Sequence, residues 1–208
     1  FDNGDTKKAG TIGTVGCTSF FPSKNLGCYG DGGALYTNND ELAAKIRMIA
    51  NHGQSVQYVH DSIGVNSRLD SIQAAILRIK LVHLDEYAAA RNVVATYYDK
   101  AFANHPKLKT PARVKNSNHV FHQYTLQLKG VDRNALREFL SANGIPAMIY
   151  YPIPLHMQKA YTDARYKSGD FPVTEQLCAS VISLPMHTEL SEETLSFITS
   201  KVLEFINS

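Results

Sequence analysis

Residues 17–35 read CTSFFPSKNLGCYGDGGAL. Before Lys24 stands a run of β-branched, aromatic and hydroxyl side chains, extended backwards by TIGTVG at residues 11–16. After it come Gly27, Gly30, Gly32 and Gly33, and then a second strand-like run, GALYT. Runs of this composition, bounded by Gly and Pro, predict two β-strands with Lys24 on the connection between them. A lysine in that position is either a solvated turn residue or an amine held at a site to condense with an aldehyde. The second reading needs an anion site close by and a position that is not free in bulk water. Ser19 can offer a hydroxyl to a phosphate, and the glycines allow backbone to approach a flat ring without a Cβ in the way.

Working outward, NNDELAAKIRMIANHG (38–53) predicts a helix capped by Asn38 or Asn39, with Asp40 and Glu41 in the first turn and Gly53 as the stop. Leu42, Ile46 and Ile49 fall on its apolar stripe. Residues 54–65 show no clear period and read as a loop. From Ser67, with Asp70 in the place of a capping-box glutamate, no Pro or Gly interrupts the chain as far as Phe102. With Leu69, Ile72, Ile76 and Ile79 on one face, this predicts a single long connecting helix. The Pro- and Lys-containing stretch 104–118 marks a boundary, placing one domain at 1–103 and a small α/β domain at 104–208. In the latter, HVFHQYTLQL (119–128) and IPAMIYY (145–151) read as strands around a helix capped by Asp132 and ended by Gly144. Further helices are predicted near 171–181 and 192–206.

Composition narrows the function. The chain has 208 residues, 44% of them hydrophobic and 19% charged, and a net charge of +2, an ordinary globular balance that does not suggest a nucleic-acid partner. No apolar run is long enough to span a membrane, and no signal peptide is evident. Three cysteines without paired spacing predict reduced thiols and a cytoplasmic setting. Neither GTIGTVG nor GCYGDGG has dinucleotide-fingerprint or P-loop spacing. On a strand, His119 and His122 would point to opposite faces, so no metal site is predicted. Ser19, His52 and Asp31 could compose a hydrolase trio, but no nucleophile elbow accompanies them.

Three ordered blocks carry a resemblance that covers essentially the whole chain. TSFFPSKNLGCYGDGGALYTNNDELA (18–43) closely resembles the cofactor-lysine segment of the DegT/DnrJ/EryC1/StrS sugar aminotransferases, fold-type I pyridoxal-phosphate enzymes. GVNSRLDSIQAAIL (64–77) and YYPIPLHMQKAY (150–161) look like the next two family blocks. The resemblance implies the C-terminal part of such an enzyme: the end of a large mixed-sheet domain, a connecting helix and a small α/β domain. It implies that Lys24 carries pyridoxal 5'-phosphate covalently, that Ser19 binds the cofactor phosphate and that Asn66 reaches the cofactor phosphate of the neighbouring subunit. Arg68, Tyr150, Tyr151 and His156 fall where relatives line the sugar-substrate side, with His156 structural rather than catalytic. Each also has a plain structural reading, as a strand, loop, helix-entry or surface residue.

The implied reaction transfers an amino group, with glutamate as donor, to a nucleotide-linked keto-sugar in a homodimer with shared active sites. Related dehydratases carry histidine where Lys24 stands, and NSRLD (66–70) resembles members acting at the sugar 3-position more than the 4-position. In relatives, the aspartate that pairs with the cofactor's ring nitrogen precedes the lysine block. The expectation is therefore a truncated chain, inactive alone. The alternative is a non-catalytic regulatory relative that keeps the fold and uses the pocket as a sensor.

Overall fold

The computed structural model describes residues 4–208, which form a mixed α/β structure of two compact units meeting between Asp85 and Glu86.

In the first unit, β1 (Gly16–Ser19) and β2 (Gly33–Tyr36) pair antiparallel with Cys17 opposite Leu35 and Ser19 opposite Gly33. The lysine loop therefore connects two strands of one hairpin, as the composition predicts. Helix α1 (Asp40–Ala50) starts at Asn39, whose side chain accepts from the Leu42 backbone N–H at 2.9 Å, satisfying one of the otherwise orphaned donors of the first turn. It ends through Gly53, in the left-handed region at φ +72°, whose N–H donates to Met48 O at 2.9 Å.

Residues 54–65 are not a plain loop. A short hairpin, β3 (Gln54–Val56) and β4 (Val59–His60), forms there with an irregular register. Its turn uses Tyr58 at φ +68°, a conformation that Gly or Asn usually signals and Tyr does not, so the sequence pattern hides it. The connecting helix also departs from expectation. It is two helices, α2 (Ser71–Leu81) and α3 (Leu84–Ala101). At the break, the His83 N–H donates to Lys80 O at 3.0 Å, an i→i+3 bond that tightens the backbone and ends the α2 ladder without Pro or Gly. Ser67 is not the cap: Asp70 is, its carboxylate accepting from the Gln73 N–H at 2.8 Å. Leu77 is the buried residue of α2, while Ile72 and Ile79, assigned to a core stripe by spacing, are 72% and 69% exposed among the described residues.

The second unit holds the main core. Strands β5 (Leu108–Lys109), β6 (Tyr124–Leu128) and β7 (Val181–Leu184) form an antiparallel sheet in the order β5-β6-β7. Helices α4 (Arg133–Ala142), α5 (Pro172–Ser180) and α6 (Glu192–Asn207) complete it, with Asp132 and Ser191 as caps for α4 and α6. Leu126, Leu136, Leu140, Ile182 and Val202 are fully buried, and Val94, Ala95 and Tyr98 of α3 join them with Phe102 just beyond its end. Because that face of α3 belongs to this core, the compact units divide before α3's packed turns rather than between residues 103 and 104. Two strand assignments change. IPAMIYY contributes only an isolated bridge, Met148 to Ser183, and VISL (181–184), of which only Val181 fell within an expected helix, is the buried strand beside β6. Residues 119–123 are irregular, with Phe121 at φ +41°, so β6 begins later than the composition suggests.

Buried polar groups in this unit are organised by one guanidinium. Arg91, buried on α3, donates from Nη1 to the carbonyls of Phe121, His122 and Met186 at 3.1, 3.2 and 2.9 Å. Tyr98 and Tyr124 hydroxyls donate to Pro185 O and Asp99 Oδ1, and burial pushes both phenols well above their usual range.

Candidate active site

Lys24 sits on the tight turn that leaves β1. Its own N–H donates to Phe21 O at 2.8 Å, and the Cys28 N–H donates to Phe20 O at 2.8 Å, which closes a short loop around it. The Cys28 thiol, fully buried, donates within the same loop to Phe20 O and Gly30 O at 3.0 and 2.8 Å. The Lys24 side chain is half-buried, and among the described residues Nζ makes no hydrogen bond or ion pair. A primary amine on a hydrogen-bonded turn, without an internal partner of its own, is available to react with an aldehyde.

The glycines serve the loop itself. A Cβ at Gly27 would run into Pro22 O, and one at Gly32 would stand 2.9 Å from Leu69 Cδ1. The chain folds back on itself at Gly27 and lies against the entry to α2 at Gly32. Their spacing thus has a cause other than room for a flat ring.

Ser19 ends β1 with an exposed side chain whose Oγ accepts from the Phe21 N–H at 3.2 Å, leaving its hydroxyl hydrogen to donate outward. Asn66 and Arg68 are brought together: Arg68 Nε donates to Asn66 Oδ1 at 2.9 Å, and both are exposed. Backbone bonds from Val65 N to Ile49 O and Ser67 N to Ala50 O, both within 2.9 Å, fasten this segment to the end of α1. Lys24 offers an amine suited to an aldehyde, and Ser19 and Asn66 offer a hydroxyl and an amide suited to a phosphate, chemistry that is compatible with pyridoxal phosphate.

Tyr150, Tyr151 and His156 lie in the second unit. The two tyrosines meet edge to face at 5.7 Å between centroids, with Tyr151 70% exposed and Tyr150 38%. Just before them, Met148 exchanges backbone bonds with Ser183 of β7 at 3.0 and 2.7 Å. His156 is different: its side chain is 8% exposed, packs 4.8 Å from the Phe171 ring and meets Glu175 Oε1 through Nε2 at 3.0 Å. Glu175 also accepts from the Gly169 N–H at 2.8 Å, and that backbone donor, followed by His156, holds its carboxyl below the usual range. His156 therefore staples the segment after the tyrosines onto α5.

Sequence spacing did not reveal Glu175, nor Gln73 and Lys80, which contact the Lys24 loop from α2. A groove of about 690 Å³ along α3 is lined by residues such as Asn92, Asp99, Arg113 and His119, and none of the candidates is among its lining residues. Its polar side chains are largely paired with one another: Arg113 forks onto Asp99 at 2.7 and 2.9 Å and reaches Asn92 at 3.2 Å.

Comparison with known proteins matches residues 2–203 to the DegT/DnrJ/EryC1/StrS aminotransferase family. A pleiotropic regulatory protein of Geobacillus stearothermophilus is 44% identical over 96% of the chain and 54% of its own length. UDP-2-acetamido-2-deoxy-3-oxo-D-glucuronate aminotransferase of Pseudomonas aeruginosa is 45% identical over 92% of the chain and 52% of its own. Among solved structures, a DegT DnrJ EryC1 StrS aminotransferase from Brucella abortus superposes with a TM-score of 0.87 at 41% identity, over 96% of this chain and 52% of that one. The chain thus spans about half the length of the relatives it matches.

Proposed function

The chain belongs to the DegT/DnrJ/EryC1/StrS aminotransferase family, and on that premise we propose that its protein transfers an amino group from glutamate to a nucleotide-linked 3-keto-sugar. The observation that carries this reading is the half-buried Lys24 amine, unpartnered among the described residues, on the turn that follows Ser19. Lys24 would hold pyridoxal phosphate covalently, with the Ser19 hydroxyl on its phosphate and Asn66 reaching the phosphate of a second subunit in a homodimer. The bound cofactor supplies the electron sink that stabilises a carbanion. Lys24 Nζ, once released, takes and returns the proton at the carbon that loses or gains the amine, acting as base and then acid. Arg68, Tyr150 and Tyr151 contact the sugar nucleotide, and His156 supports that side through Glu175.

The 3-keto assignment rests on the NSRLD block and on the name of the Pseudomonas aeruginosa relative, which specifies a 3-oxo-glucuronate. If the sugar is a uronate, Arg68 can pair with its carboxylate through a two-pronged fork. The test is borohydride reduction of the protein with pyridoxal phosphate, followed by peptide mapping. Label on the peptide holding Lys24, lost in Lys24→Ala, supports the reading, and label elsewhere or nowhere ends it.

A regulatory role is the second reading, favoured by the Geobacillus stearothermophilus relative named as a pleiotropic regulatory protein at 44% identity. Glutamate separates the two. An enzyme would convert it to 2-oxoglutarate, whereas a sensor would hold ligand without exchanging the amino group.

A further inference from the structure

We propose that helix α2 sets where Lys24 stands, with Gln73 and Lys80 as positioning residues that clamp the lysine loop from one helix face. The proposal rests on the reading of Lys24 as the cofactor anchor.

The loop between β1 and β2 is closed at its start by the Lys24 and Cys28 N–H groups, on Phe21 O and Phe20 O, while Tyr29 and Asp31 beyond them are exposed. Two side chains from α2 reach it. Gln73 Oε1 accepts from the Tyr29 N–H at 2.7 Å. Lys80 Nζ donates to Gly27 O at 2.8 Å and stands 4.5 Å from the centroid of the Tyr29 ring. Seven residues are two helical turns, so both side chains project from the same face, on either side of the buried Leu77. A lysine on an exposed helix is ordinarily solvated, and an ammonium held on a backbone carbonyl gives up part of that hydration and its rotamer freedom. Lys80 does so three residues beyond Lys24. The loop also comes close to the helix: a Cβ at Gly30 would stand 3.2 Å from Gln73 Nε2.

The consequence is a shared reference. Asn66 and Arg68 lead into α2 through its cap, Asp70, while Gln73 and Lys80 tie the lysine loop to the same helix. The lysine loop and the Asn66–Arg68 pair thereby share α2 as a reference, with the end of α1 holding the pair as well. A reacting lysine needs that fixity, because misplacement by about 1 Å can cost on the order of a hundredfold in rate.

The test compares Gln73→Leu and Lys80→Met with Gln73→Glu and Lys80→Arg, which keep the acceptor and the cation respectively. In the protein carrying this chain, amide exchange is measured across residues 25–33, and Lys24 labelling by pyridoxal phosphate and borohydride is timed. The pH midpoint of the bound cofactor's visible absorbance is followed as well. Loss of either bond is expected to speed loop exchange about fivefold, slow Lys24 labelling and move the pH midpoint, with both conservative variants near wild type. Unchanged exchange in Gln73→Leu and Lys80→Met overturns the clamp. Faster exchange with unchanged labelling and midpoint overturns the positioning role. A wild-type protein that takes no label at Lys24 overturns the functional reading and the positioning role with it, while the exchange rates still decide the clamp.

Discussion

Replacing Gly27 by alanine will open the turn that carries Lys24, whereas replacing Gly30 will leave it closed. Gly27 adopts a backbone conformation available to alanine, so backbone strain is not the obstacle. Space is. An alanine Cβ would stand 2.8 Å from the Pro22 carbonyl carbon, 2.9 Å from Phe21 O and closer still to Pro22 O. Carbon atoms pack best at about 3.5–4.0 Å, and here every obstructing atom is backbone, which cannot rotate away. Overpacking of this kind costs about 1–3 kcal/mol, and alanine's smaller unfolded-state entropy offsets about 0.4–1 kcal/mol. A net of about 1.3 kcal/mol, borne by the loop, corresponds to roughly tenfold faster opening. The amides of Lys24 and Cys28, bonded to Phe21 O and Phe20 O at 2.8 Å, report it directly in hydrogen exchange. At Gly30 the nearest atom is Gln73 Nε2 at 3.2 Å, the far end of a flexible side chain, so exchange should rise less than about threefold. Equal protection in the two variants would refute the argument, because it would mean that the loop does not close as described.

Arg91→Met keeps volume but leaves the carbonyls of Phe121, His122 and Met186 without their donor, and should lower unfolding stability by about 3 kcal/mol in denaturant titration. Leu126→Ala, at a fully buried β6 position, should cost about 3 kcal/mol by the same assay. The depressed Glu175 carboxyl stabilises the 155–175 segment while ionised, and that contribution disappears as pH falls through its lowered value. Exchange there should quicken in acid in the wild type, and Glu175→Gln should flatten that dependence. Arg68→Ala should raise KM for a uronate substrate more than for its neutral counterpart, and an equal rise for both would count against the carboxylate fork.

Much of this protein is written locally. Strand composition around Lys24, the caps at Asn39 and Asp132 and the stops at Gly53 and Gly144 concern residues only a few positions apart, so a pattern along the chain records them. The lysine's place on a hairpin connection follows from the same kind of signal. The departures have local physical causes that leave no compositional mark. The α2–α3 break is a single tightened bond from His83 to Lys80, the β3–β4 turn relies on a tyrosine at positive φ, and Asp70 took the cap from Ser67. VISL, a four-residue apolar run too short to show a period, becomes a strand only with β6 beside it.

What the chain alone determined, then, is the set of chemical groups: an amine after a strand, a hydroxyl five residues before it, an amide and a guanidinium at the entrance to a helix. The tertiary structure decided which of these groups are held and by what. Gln73 meets Tyr29 across 44 residues of chain and Lys80 meets Gly27 across 53. His156 meets Glu175, nineteen residues on, a partner that no local pattern records. Periodicity records only neighbours a turn or a strand apart. A bond between distant residues exists only once the intervening chain has paid its ordering entropy and folded them together.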